Sequence, residues 1–178
     1  RNDSLYADNG WPVGVPRGTP VLIETKYSTR GLGWAMIGLL ASHGLMPEGN
    51  VYLEKAIRLS QHLAKAQADD GHWDFLFKGG EYKDEISEKG TALWSLLFYQ
   101  LYQYTGDEKH LNVARKALLW CINNQYTGPE NSQAVGGIAG ENRESGVVYR
   151  RWNRLICSYT VAWFGLALLE ELKLHNED

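Results

Sequence analysis

The sequence predicts an all-α fold assembled from repeated helical hairpins. Two observations carry this: five stretches with apolar residues at helical spacing, and a common phase when the chain is laid over itself.

The first 27 residues are set apart, because "NGWPVGVPRGTP" is punctuated by proline and glycine and reads as extended chain. A domain over residues 28–178 follows. Its first helix is expected from Ser28 to Gly44, with Ser28 as N-cap and a broad apolar face. A second runs from about Asn50 to Ala68 and gathers Leu53, Ala56, Ile57, Leu63 and Ala64 on one side. The third, Ser87 to Tyr104, is apolar nearly all round. The fourth, Glu108 to Gln125, is amphipathic through Leu111, Ala114, Leu118 and Ile122, and the fifth spans Ser158 to Leu174. Helices apolar on every side belong inside and amphipathic ones outside, so the order is inner, outer, inner, outer, inner. Trp34, Trp94 and Trp163 fall at nearly equivalent points of the inner helices and are expected to pack in the core.

A shift of 58 residues places Leu53 on Leu111, Ala56 on Ala114, Arg58 on Lys116 and Gln67 on Gln125. A shift of 59 places Ser28 on Ser87, Arg30 on Lys89 and Gly31 on Gly90. The connections alternate as well. Inner-to-outer turns are short ("LMPEG", "TGD"), whereas residues 69–86 and 126–157 make long loops at the same end of the bundle. Long loops in a compact domain are where function concentrates.

Composition narrows the ligand. The 178 residues carry a net charge of −3, which does not favour nucleic acid, and no apolar run is long enough to span a bilayer. Aromatics reach 12%, with seven Trp and ten Tyr, a supply that suits ligands with flat apolar faces. Cys121 and Cys157 have neither metal-like nor framework spacing, so they set no compartment. The chain begins at Arg1 without a signal-like segment, as a processed or excised piece would.

The phrases "YLEKAIRLSQHLAKAQADDGHW" and "TGDEKHLNVARKALLWCINNQ", each after an apolar helix, resemble α/α-toroid proteins. That group includes six-hairpin glycoside hydrolases, related polysaccharide lyases and epimerases, and squalene-cyclase/prenyltransferase repeat proteins. The resemblance covers about residues 28–175 and implies part of an α/α toroid. A full toroid of that kind has about twelve helices, so five imply an incomplete ring, completed by the rest of a larger barrel or by a second copy. It also implies an oligo- or polysaccharide ligand.

Arg30 and Lys89 each fall in the first turn of an inner helix, where the macrodipole makes a cation locally unfavourable. A local ion pair with Glu24, Glu85 or Glu88 explains them. So does an anionic ligand such as a uronic acid carboxylate, and Arg143 and Arg150 in the second long loop suit the same group. Glu88 is the best-placed candidate for proton transfer, with Asp74 and Asp84 behind it; a dipole-stabilising N-terminal acid is the plainer role for Glu88. Trp73, Tyr82, Trp152 and Tyr159 cluster by sequence at the long-loop end and are candidate stacking surfaces for sugar rings.

The stretch "DDGHWDF" lacks calcium-loop spacing, and one histidine is thin for zinc, so no metal or cofactor is expected. These readings give a carbohydrate-active toroid enzyme acting on an acidic glycan by hydrolysis, elimination or epimerisation. A non-catalytic glycan-binding or scaffold module is the alternative. Terpenoid cyclisation ranks lower, because "ADDGHW" sits at a helix exit beside charged loops rather than in an apolar cavity.

Overall fold

A computed structural model describes residues 26–46, 50–78, 81–138 and 158–176. A short strand, β1 (Lys26–Ser28), leads into α1 (Thr29–Leu45), and α2 (Val51–Ala66) returns beside it. Strands β2 (Asp74–Lys78) and β3 (Glu81–Ile86) come next, then the hairpin of α3 (Glu88–Thr105) and α4 (Glu108–Asn123). A 3-10 helix (Pro129–Ala134) and α5 (Ser158–Asn176) complete the described elements.

The helix starts follow from local chemistry. Ser28 and Ser87 both act as N-caps, accepting from the main-chain N–H of Gly31 at 2.9 Å and of Gly90 at 3.1 Å. Asp107 caps α4 in the same manner, and Gly106 ends α3 in the left-handed region at φ +62°.

The stretch 69–86 is not the loop expected from the sequence: it holds β2 and β3. The strands form an antiparallel sheet of order β1-β2-β3, with Tyr27 opposite Phe77 and Phe77 opposite Tyr82. The signal was in the chain, since Gly79 and Gly80 separate "DFLF" from "EYKDEI" as hairpin glycines do. The sheet fixes geometry. β1 runs straight into α1, and β3 reaches α3 through Ser87, so pairing both with β2 brings the starts of α1 and α3 together.

Helix α3 is the centre of the core, its residues 90–99 all buried. Helices α1 and α5 pack on it, α2 packs on α1, and α4 packs on α3. Trp73 lies in this core and not at the rim where the sequence suggested it. Its ring is fully buried and stacked on Phe98 at 6.0 Å, and its indole N–H donates to the Leu63 carbonyl at 2.8 Å. Trp94 is also fully buried and donates to the Thr29 carbonyl at 2.9 Å, tying α3 to α1.

Trp34 departs the other way. Expected in the core, it is 49% exposed. Leu166, Leu169 and Leu172 of α5 are exposed too. The reason is topological: α1 and α5 flank α3, so each has one side that no described helix covers.

Polar groups lock the layers. Glu171 of α5 accepts from Arg115 Nε of α4 at 3.0 Å and from the Tyr99 hydroxyl of α3 at 2.8 Å. Burial alone opposes the Glu171 charge, but these hydrogen bonds outweigh it and hold its pKa below the ordinary carboxylate value. Burial, reinforced by Glu171, pushes the Tyr99 phenol upward. His110 is buried between the Ser60 hydroxyl of α2 at 3.2 Å and the Thr105 hydroxyl at 2.9 Å.

The aligned glutamines of the repeat both bond beyond their helices. Gln67 donates to the Gly71 carbonyl at 3.0 Å, and its counterpart Gln125 donates to the Gly136 carbonyl at 3.1 Å. Both glycines have positive φ, +107° and +85°. Each outer helix is thus followed by a glutamine bonded to a positive-φ glycine, four residues on in the first copy and eleven residues on, past the 3-10 helix, in the second.

Candidate functional site

The first turns of α1, α3 and α5 converge. Thr29 of α1 packs on Gly90 of α3 so closely that a Cβ there would lie 3.2 Å from the Thr29 methyl. Across the other side, Arg30 Nη1 of α1 donates to the Tyr159 hydroxyl of α5 at 2.7 Å. The Thr29 hydroxyl also donates to the Asp74 carbonyl, which fixes the start of β2 against α1. Three helix N-termini, a cation, a phenol and a carboxylate-bearing strand therefore share one end of the molecule.

Glu88 sits at the entrance of α3, only 6% exposed, with its carboxylate paired to Lys89 Nζ. A carboxylate in the first turn is favoured by the helix dipole and a lysine is not, so each side chain answers the other. Neighbours in sequence do not face each other on a helix; the contact arises because the long lysine doubles back. Lys89 thus has the local ion-pair partner the sequence allowed for. Arg30 reaches a tyrosine 129 residues away.

Asp74 lies beside a second small network. His72 Nδ1 is 2.5 Å from Asp70 Oδ1, and His72 Nε2 is 3.5 Å from Asp74 Oδ1. The imidazole is held between two carboxylates, with its ring 6.0 Å from that of Trp120. In the sequence His72 is the only histidine in either long loop and a candidate proton shuttle; its pairing with Asp70 and Asp74 depends on the turn at Gly71.

The remaining sequence candidates divide clearly. Tyr82 and Asp84 belong to β3, with Tyr82 opposite Phe77 in the ladder. Arg143, Arg150 and Trp152 lie outside the described residues. Trp73 offers no face to a ligand, because stacking on Phe98 and the bond to Leu63 place it inside. Among the described residues no group of three or more His, Cys, Asp or Glu side chains is placed to hold a metal ion, and no helix is long and apolar enough to cross a membrane.

With that geometry in place, known proteins give the fold a context. No protein-family model and no curated protein matches the sequence. Solved structures do. A possible member of the GH105 family from Salmonella enterica superposes with a TM-score of 0.60 at 20% identity, over 83% of this chain and 40% of that one. A possible GH105 member from Klebsiella pneumoniae gives a TM-score of 0.60 at 21% identity, with the same coverage. A GH76 alpha-mannanase from Bacteroides thetaiotaomicron gives 0.54 at 14% identity, over 90% of this chain and 57% of that one. The fold is that of part of an α/α toroid, shared with glycoside hydrolases, and this chain spans less than two thirds of each of these structures.

Proposed function

We propose that this chain is part of a carbohydrate-active α/α-toroid enzyme whose substrate is an acidic oligo- or polysaccharide, cleaved or rearranged by hydrolysis, elimination or epimerisation. The observation that carries the reading is the convergence of Arg30, Tyr159, Glu88 and Lys89 at the joined N-termini of three inner helices. The likeness to glycoside hydrolases supports a sugar as the ligand.

In this reading the cations Arg30 and Lys89 hold the carboxylate of a uronic acid unit, Arg30 by its planar fork. Binding of that anion draws Lys89 from Glu88 and frees a shielded carboxylate to move a proton. Asp74, steadied by His72, is the second carboxylate. The sequence candidates Arg143, Arg150, Trp152 and Tyr82 are the further substrate-binding residues of this reading, and Asp84 a further carboxylate.

The closed Glu88–Lys89 pair also favours a second reading, a module that binds glycan without turning it over. One experiment separates them: product analysis and binding on uronate-rich polysaccharides, with wild type and Glu88→Gln. The enzyme reading expects turnover lowered by about 10²-fold or more in the variant. Binding without turnover, unchanged by the substitution, eliminates that reading.

A further inference from the structure

His110 of α4 sits where the two hairpins meet, only 7% exposed, with a hydroxyl at each ring nitrogen. Its Nε2 lies 3.2 Å from Ser60 Oγ of α2, which is fully buried. Its Nδ1 lies 2.9 Å from Thr105 Oγ1 at the end of α3. The Gln67 amide at the C-cap of α2 also reaches α4, donating to the Val113 carbonyl at 3.1 Å.

The two hydroxyls have more partners than protons. Each carries one proton and two acceptor sites. Thr105 donates to the Leu101 carbonyl at 2.7 Å and accepts from the Asp107 main-chain N–H at 3.3 Å, which leaves it an acceptor site for the imidazole. Nδ1 therefore carries hydrogen. Ser60 has two acceptors for its single proton, Nε2 and the Ile57 carbonyl of its own helix at 2.8 Å. A neutral imidazole has no hydrogen left on Nε2, so Ser60 must turn to the ring and release Ile57. A charged imidazole has hydrogen on both nitrogens, so Ser60 accepts from Nε2 and donates to Ile57. The whole set of contacts exists together only in the charged form.

We propose that His110 is a buried proton switch, whose charging turns the Ser60 hydroxyl from the imidazole to the Ile57 carbonyl while α2, α3 and α4 stay joined. Burial opposes the charge and lowers the pKa, whereas Asp107 at the start of α4 favours the charge. Among the described residues, what the other two helices turn to the ring is uncharged. Helix α2 presents Ser60, and α3 presents Thr105 and Phe98, whose ring is 5.9 Å away. Protonation thus costs desolvation but no hydrogen bond. The folded protein takes up the proton in place, and the loss of stability through this group ends once it has done so.

The test is nitrogen-15 NMR of the histidine rings from about pH 8 to about pH 4, with His110→Asn assigning the signal. At the alkaline end His110 shows the Nδ1–H tautomer. On acidification it gains Nε2–H while the amide spectrum stays native. Ser60→Ala removes the acceptor of Nε2–H, and His110 then holds its proton about tenfold more weakly, since a bond to a charged donor outweighs one to a neutral ring. An Nε2–H tautomer at the alkaline end overturns the proposal. So does a ring that stays neutral throughout, or a native spectrum that collapses before or together with its protonation. Unchanged proton affinity in a folded Ser60→Ala overturns it as well. Should Ser60→Ala not fold, the tautomer and the in-place protonation of wild type decide alone.

Discussion

Replacing Gly71 by alanine tests the turn that carries the chain from α2 into the sheet. Gly71 has φ +107°, a region L side chains rarely adopt, and an added Cβ would come 2.3 Å from the Lys116 carbonyl oxygen of α4. Backbone strain costs about 1 kcal/mol. The clash adds about 1–3 kcal/mol, since a helix carbonyl must retreat by more than an ångström. The total of about 2–4 kcal/mol corresponds to a fall in Tm of roughly 5–15 °C for a chain of this size.

Gly136→Ala is the internal control. Its φ is +85°, but nothing among the described residues lies within 4 Å of the added Cβ. That variant should lose only the strain, about 1 kcal/mol or roughly 2–4 °C. Urea unfolding with both variants measures the difference. Equal losses would refute the argument that α4 closes on Gly71, and with it the packing of the first turn against the second hairpin.

Two further outcomes follow from buried titratable groups. Burial holds the His110 pKa below the ordinary 6.5, so the unfolded chain takes up a proton that the folded chain refuses. His110 therefore leaves stability intact above that value and erodes it as pH falls through and below it, by at most about 1.4 kcal/mol per pH unit. His110→Asn should flatten the slope of urea midpoint against pH between about 8 and 5, and an unchanged slope would count against this. His62, whose pKa burial and Lys65 also lower, contributes to both proteins and cancels. Burial pushes the Cys121 thiol up to about 12. In a Cys157→Ser background, Cys121 should resist iodoacetamide at pH 8 until denaturant opens the core; rapid labelling of the native protein would contradict its burial.

What could be read in the sequence was local. Ser28 and Ser87 cap their helices as the spacing suggested, and all five helices lie within a few residues of the expected bounds, because period and capping need only near neighbours. The meeting of three helix N-termini was legible too, from loops that alternate short and long. Trp73 was not. Its neighbours in "DDGHWDF" are polar, and its burial depends on Leu63 and Phe98, which local composition does not reveal. Trp34 failed for the opposite reason: an apolar helix says that a side chain can be buried, and only the number of packed neighbours says whether it is. The contact of Arg30 with Tyr159 was equally hidden, since Tyr159 comes from α5.

Repeat architectures commonly unfold in pieces, each unit contacting only the next, so that stability sums along the array. Here α3 is enclosed on every side over residues 90–99, and it receives bonds or packing from α1, α4, α5 and the segment after α2. Neither hairpin can detach without stripping that one helix. Although the sequence is written as a repeat, the described helices should melt as a single thermodynamic unit, and cutting the chain between α2 and α3 should not yield two independently stable halves.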